Sequence, residues 1–145
     1  MSESLSGFVP LEPKPWKRPG DRKGGGRWNT SKADEKAFLE MCIIIIGRPE
    51  FPPECPCVLS CQFVLSERPE QCWPDLSNLI KMVEDALEGA YYKNDRQICA
   101  YGDITREFTC DPEKVGTHLE IVYEGDKKWL VETKQKDIVV THKKL

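Results

Sequence analysis

The sequence predicts a single α+β domain in which a mixed β-sheet packs against helices. Three observations lead to this fold class. The chain has 145 residues, which suits one domain. Two segments carry apolar residues at helical spacing, and several short β-forming segments lie between and after them. Helices and strands in this order are typical of a mixed α+β layer. We expect residues 1–6 to be a disordered segment or tail and residues 7–145 to form the domain.

The first half of the chain predicts an extended segment, a loop and a helix. Phe8 to Trp16 favours an extended edge segment, because its prolines interrupt any helix. Residues 20–26 predict a flexible basic loop. A helix is expected from the capping pair Ser31 and Asp34 to Gly47. The β-branched run at the end of this helix is also compatible with extended structure.

The second half predicts one strand, a well-marked helix and further strands. Val58 to Leu65 is apolar and β-forming and follows a proline-rich connection. From Leu76 to Leu87 the apolar residues form a one-sided stripe, and Gly89 provides a C-terminal cap. The remaining strands are expected at Ile98 to Phe108, Leu119 to Tyr123, 129–131 and 138–141.

The composition is that of an ordinary globular protein. Hydrophobic residues make up 39% of the chain and charged residues 31%. The longest uncharged apolar run, Met41 to Gly47, is far shorter than the roughly 20 residues of a membrane span. The N-terminus lacks a signal-peptide pattern. We therefore expect a cytoplasmic protein.

The seven cysteines predict reduced thiols, because an odd count does not complete a disulfide framework. Cys55, Cys57, Cys61 and Cys72 are close enough in sequence to suggest zinc. However, their spacing lacks a CxxC pair, and both histidines are remote. Buried or incidental thiols are therefore favoured over a zinc site.

Charge is unevenly distributed along the chain. The net charge is −3, but the segment from residue 14 to residue 32 carries +6, which leaves −9 for the rest. Its basic residues are Lys14, Lys17, Arg18, Arg22, Lys23, Arg27 and Lys32. Such segregation suits a protein with one surface that meets phosphate and another that gathers carboxylates around a metal. A solvated flexible arm would show the same pattern.

The most informative stretch runs from residue 74 to residue 97. Asp75 precedes the second helix, where the backbone amides and the helix dipole favour negative charge. Asn78, Lys81 and Asp85 follow along the polar face at spacings of three and four. Taken alone, Asp75 is an N-cap and Lys81 with Asp85 is a surface ion pair.

Asp95 lies six residues beyond Gly89, a reach of about 20 Å, against about 18 Å for the helix, so it can return to Asp75. Two neighbouring carboxylates favour a cation between them, and oxygen ligands suit Mg²⁺. Water activated by the metal could attack a phosphodiester, with a lysine stabilising the added charge or protonating the leaving oxygen. On geometry alone, ordinary surface charges remain the alternative.

This stretch resembles the signature of the RusA-like Holliday junction resolvases, in which a D-L-D-N-x-x-K helix opening is followed by D-A-L, a glycine and a D-D-x-Q element. The matching residues are Asp75, Asn78, Lys81, Asp85, Ala86, Leu87, Gly89, Asp95 and Gln97. Residues 13–19 also resemble the basic, proline-containing opening strand of the family. The order of helices and strands fits nearly the whole chain.

The resemblance implies a Mg²⁺-dependent homodimer, with Mn²⁺ as a substitute, that nicks opposed strands of a four-way DNA junction in recombination or repair. It implies catalytic roles for Asp75, Lys81 and Asp95, of which Asp75 and Asp95 bind the metal. The basic segment is expected to contact DNA phosphates. The residues expected to do so are Lys14, Lys17, Arg18, Arg22 and Arg27.

Two positions depart from the family pattern. Ser77 occupies the place of the middle aspartate, and Asn94 that of the acid that usually precedes the third aspartate. A serine adds no negative charge, so metal affinity should fall, and Asp85 is a candidate to compensate. The alternative function is therefore a branched-DNA-binding protein of the same fold with impaired catalysis. An unrelated α+β interaction protein would require the motif match to be a coincidence.

Overall fold

The computed structural model of the protein describes residues 2–16, 20–21, 27–28 and 31–124. Within these ranges the order of strands and α-helices is β1 (Ser2–Val9), β2 (Gly20–Asp21), β3 (Arg27–Trp28), α1 (Lys32–Ile46), β4 (Cys57–Ser66), α2 (Leu76–Leu87), β5 (Ile98–Thr109) and β6 (Gly116–Glu124). Short 3₁₀ turns lie at Glu70–Cys72, Asp95–Gln97 and Pro112–Lys114. The predicted α+β class is confirmed.

Four strands form one mixed sheet in the order β1-β6-β4-β5. β4 is parallel to β5, whereas β6 is antiparallel to both β1 and β4. Parallel neighbours require a long crossover connection, and α2 is the helix of that crossover. β2 and β3 form a separate two-stranded pair. This topology places α2 beside the edge strand β5.

The hydrophobic core lies between the two helices and one face of this sheet. Alternate residues of β4 are buried there, namely Cys57, Leu59, Cys61, Phe63 and Leu65. α1 packs against β1 and α2. At Gly7 an added Cβ would lie only 2.3 Å from the Cγ2 atom of Ile46, so glycine permits the close approach of α1 to β1.

α2 begins at Leu76 and ends at Leu87, as the apolar stripe predicts. Its buried face comprises Leu79, Ile80, Met82, Val83, Ala86 and Leu87. Gly89 follows with a φ of +94°, a conformation that glycine adopts without steric cost. The opposite face of α2 is left for polar side chains.

The structure differs from the sequence predictions at the N-terminus. Residues 2–6, expected to be a tail, belong to β1, and their partners on β6 provide the strand pairing. The β-branched run of α1 remains helical up to Ile46. The expected strands in the second half are confirmed as β4, β5 and β6, each slightly longer than predicted. Residues 22–26, 129–131 and 138–141 lie outside the described residues.

All seven cysteines are free thiols. Burial raises the pKa of Cys42 and of Cys57 to about 12, so both thiols stay protonated at neutral pH. The candidate metal-ligand group found in the described part of the chain contains no cysteine. None of the helices described here is long and apolar enough to cross a membrane.

Candidate active site

The N-terminal end of α2 presents Asp75 to solvent. The Asp75 carbonyl accepts hydrogen bonds from the amides of Asn78 and Leu79, each over 3.1 Å. Its side chain makes no capping hydrogen bond. The preceding residue is fixed by the sheet, because Nη1 of Arg106 donates to the carbonyl of Pro74 over 2.8 Å. The Asp75 carboxylate is thus exposed at a helix start whose position β5 sets.

Lys81 lies between two partners on the outer face of α2. Its Nζ atom is 3.7 Å from Oδ2 of Asp85 and 5.0 Å from the ring centroid of Trp16. The Trp16 amide donates to the carbonyl of Asn78 over 2.8 Å, which docks the N-terminal segment on the helix. The Lys81 side chain remains 47% exposed. Its ammonium is therefore loosely held and accessible to an incoming anion.

Three carboxylates meet at the C-terminal end of α2. One oxygen of each of Asp85, Glu88 and Asp95 lies within 4.8 Å of the others. Burial raises the pKa of the Glu88 carboxyl, and the neighbouring Asp95 and Asp85 raise it further. A cation reduces the electrostatic repulsion between grouped carboxylates of this kind, and carboxylate oxygens are suitable ligands for a hard divalent ion. We call Asp85, Glu88 and Asp95 the acidic group.

The negative field of the acidic group extends to α1. Glu35, in the first turn of α1, has a raised pKa, mainly because of burial and next because of Asp85. Lys32 and Lys81 act in the opposite direction. Helices α1 and α2 therefore both contribute acids to this region of the surface.

The turn that carries Asp95 is held by the Gln97 side chain. Its Oε1 atom accepts from the amides of Lys93 and Asn94, each over 3.0 Å. Its Nε2 atom donates to the carbonyls of Pro53 and Cys55, over 2.8 and 3.0 Å. These four hydrogen bonds tie the Asp95 turn to the segment before β4, and so they fix the position of the carboxylate.

Asn94 serves the same turn as its N-cap. Its Oδ1 atom accepts from the amide of Arg96 over 2.8 Å and from Nε of the same residue over 3.2 Å. Asparagine and aspartate are about equally good N-caps. The departure from the family pattern at position 94 therefore preserves the turn and removes only a negative charge.

Buried tyrosines fix the chain between α2 and the Asp95 turn. The Tyr92 hydroxyl donates to the carbonyl of Glu84 over 2.7 Å, and the Tyr91 hydroxyl to that of Gly47 over 2.5 Å. The Tyr123 hydroxyl donates to the carbonyl of Tyr91 over 2.7 Å. The segment that connects α2 to Asp95 is therefore held in place by buried side chains and their hydrogen bonds.

The sequence-predicted site residues lie at both ends of α2. Asp95 is brought together with Asp85, but Asp75 is not a member of the acidic group. Asp75 precedes the start of α2 and the acidic group lies at its end, so about 18 Å of helix separates them within one chain. The sequence reasoning missed Glu88. Its position three residues after Asp85, at the C-cap of α2, is the signal that could have found it.

The predicted DNA-contacting residues are only partly described. Lys14 is exposed on the segment that leads to Trp16. Arg27 belongs to β3, whose register pairs it with Asp21. Lys17, Arg18 and Arg22 lie outside the described residues.

The described residues form a small α+β domain with one carboxylate at the start of its crossover helix and, at the end, three that could hold a metal ion. The family model described as Endodeoxyribonuclease RusA matches residues 10–121, and the chain belongs to this family. The matched range contains both ends of α2, and the predicted resemblance is confirmed. Membership of this family supports a nuclease that acts on DNA junctions. Among curated proteins, none matches the chain at a significant level.

Proposed function

We propose that the protein is a Mg²⁺-dependent endonuclease that resolves Holliday junctions or other branched DNA by paired nicks in recombination or repair. The observation that carries the proposal is the acidic group, which lies within the range that matches an endodeoxyribonuclease family. The family points to the DNA junction as substrate. The acidic group is the proposed place for a metal ion that would assist phosphodiester hydrolysis.

The donor set of the acidic group fits Mg²⁺. This ion prefers oxygen ligands and is usually bound through one or two carboxylates with water in its remaining positions. Asp95 and Asp85 are the proposed ligands, and we propose that Glu88 would bind a water molecule of the ion. When bound, Mg²⁺ or a substituting Mn²⁺ would neutralise phosphate charge and activate water for attack.

Asp75 and Lys81 are the other proposed catalytic residues. The Lys81 ammonium can stabilise the charge that develops on the phosphate or protonate the leaving oxygen. Asp75 is proposed as a further metal ligand. Because α2 separates Asp75 from Asp95 within one chain, we propose that the two meet across a homodimer, each site taking Asp75 from one protomer and Asp95 from its partner.

The N-terminal basic segment is proposed to hold the DNA. Exposed Lys14 lies just before Trp16, and Trp16 contacts the helix that carries Lys81. A phosphate bound by Lys14 would therefore lie near the segment that contacts α2, and Lys17, Arg18, Arg22 and Arg27 are proposed as further phosphate contacts. Replacing any one of these basic side chains by a neutral one should reduce the salt dependence of DNA binding.

The proposal is tested with a labelled synthetic four-way junction and a linear duplex of the same sequence. Each substrate is incubated with Mg²⁺, Mn²⁺ or EDTA, and a gel-shift measurement is run in parallel. We expect metal-dependent, paired nicks in the junction and none in the duplex. Binding of the junction in EDTA without nicks in either metal would instead support the impaired binding protein that Ser77 suggests. Equal cleavage and equal binding of the junction and the linear duplex would contradict both the nuclease and the branched-DNA-binding protein.

A further inference from the structure

Trp73 is a partly exposed aromatic residue that lies two positions before Asp75, near the N-terminal end of α2. Its side chain is 40% exposed. Its Nε1 atom donates to the carbonyl of Arg68 over 3.1 Å, and its amide donates to the carbonyl of Glu70 over 3.0 Å. An indole fixed at both its ring nitrogen and its backbone loses little conformational freedom when a ligand binds.

The Trp73 ring is supported from the sheet. It stacks on Phe108 with ring centroids 4.8 Å apart and an interplanar angle of 24°. The Arg106 guanidinium carbon lies 5.3 Å from the Trp73 centroid and 5.8 Å from the Phe108 centroid. Since Arg106 also binds the carbonyl of Pro74, one arginine joins the stacked rings to the residue that precedes Asp75. Trp73 and Asp75 are therefore parts of one braced segment.

We propose that the exposed surface of Trp73 is a stacking platform for a nucleobase that leaves the base stack at the branch point of DNA. This inference rests on the proposed function and names the feature of the substrate that is recognised. In a linear duplex each base is covered on both faces, whereas at a branch point a base can lose one neighbour. Stacking of a base on an aromatic side chain contributes about 1–3 kcal/mol. The platform thus favours branched over linear DNA.

The neighbouring charges are consistent with a nucleic-acid ligand. Arg106 places a cation against the ring stack. A base on Trp73 would carry its own backbone phosphates towards Asp75, the proposed metal ligand that precedes α2. The stacked base would therefore hold the strand in register with the catalytic residues.

The test uses a four-way junction with 2-aminopurine at the branch point, in EDTA so that no cleavage occurs. An unstacked 2-aminopurine is bright and becomes quenched when it stacks. Trp73→Leu removes the aromatic face but keeps apolar volume, and Trp73→Phe keeps an aromatic face. Phe51→Leu is the matched control, because Phe51 is 75% exposed and lies in the connection before β4. Thermal melts establish that each variant is folded.

We expect the wild type, Trp73→Phe and Phe51→Leu to quench the branch-point base and to prefer the junction over the duplex. Trp73→Leu should lose the quenching and weaken junction binding by about 5- to 150-fold, the range that corresponds to one stacked base. Duplex binding should remain unchanged. If Trp73→Leu quenches and binds like the wild type, or weakens junction and duplex binding equally, the platform is rejected while the nuclease proposal stands. If the wild type itself shows no preference for the junction, both proposals fail.

Discussion

At its N-terminal end α2 presents a single carboxylate, Asp75, whereas three carboxylates meet at its C-terminal end. The helix dipole adds positive potential at the first end and negative potential at the second. The dipole therefore partly offsets the charge of Asp75 and adds to the negative potential of the acidic group. The two proposed sets of metal ligands are about 18 Å apart in a single chain.

The largest expected effect comes from removing one carboxylate at each end. Asp95→Asn and Asp75→Asn should each lower Mg²⁺-dependent nicking of a four-way junction by about 100-fold or more, because each removes a proposed metal ligand. Junction binding in EDTA should be retained in both variants. Asp103→Asn, on the exposed part of β5, is the matched control and should cut normally. An Asp95→Asn variant that cuts like this control would remove the acidic group from the mechanism.

A smaller effect on nicking is expected from replacing Gln97, which holds the turn that carries Asp95. Gln97→Ala removes four hydrogen bonds and leaves backbone groups of the Asp95 turn unpaired, at a cost of about 1–3 kcal/mol in the free energy of unfolding. It should also raise the Mg²⁺ concentration for half-maximal nicking by about 10- to 100-fold. Gln71→Ala, on an exposed turn, is the control. Reduced stability with an unchanged Mg²⁺ requirement would limit Gln97 to a structural role.

A carboxylate can also be added near the N-terminal end of α2, which should increase the affinity for Mg²⁺. Ser77→Asp restores the charge found in the family pattern, so the Mg²⁺ concentration for half-maximal nicking should fall by about tenfold. Ser77→Ala distinguishes the added charge from removal of the hydroxyl. A Ser77→Asp variant that needs more Mg²⁺ than the wild type would indicate that the new carboxylate binds Lys81 at i+4 instead of the ion.

The smallest effect concerns the thiols, whose labelling rates report on the packing of the core. At pH 8 the exposed Cys72 and Cys110 should react rapidly with a thiol reagent. Cys42 and Cys57, whose pKa burial raises to about 12, should react only after unfolding, because the thiolate is the reactive form. Rapid reaction of all seven thiols in the native protein would contradict the packed core behind β4.

The position of α2 could be predicted because its apolar residues recur at helical spacing on one face and because Gly89 follows its end. The strand formed by residues 2–6 could not, because small polar residues carry no strand pattern of their own and are ordered by pairing with β6. The tertiary partner, rather than local propensity, determines that element.

The motif predicts Asp75, Lys81 and Asp95 as site residues, but it does not give the distances between them. Chain length alone allowed Asp95 to return to Asp75. The structure instead turns the chain at Gly89 and fixes it with Tyr92 and Gln97, contacts that follow from packing and hydrogen bonds between distant segments. For this reason Asp95 lies beside Asp85 and Glu88, and Glu88 was not foreseen.

The proposed homodimer brings the two ends of α2 together in one site formed by two chains. Asp75→Asn and Asp95→Asn chains carrying different tags are co-expressed, and the mixed species is purified through both tags. In a mixed dimer one site combines both substitutions and the other combines neither, so we expect single-strand nicking of the junction to return to about half the wild-type level. Purified mixed dimers as inactive as either variant alone, or the absence of any mixed species, would contradict the claim.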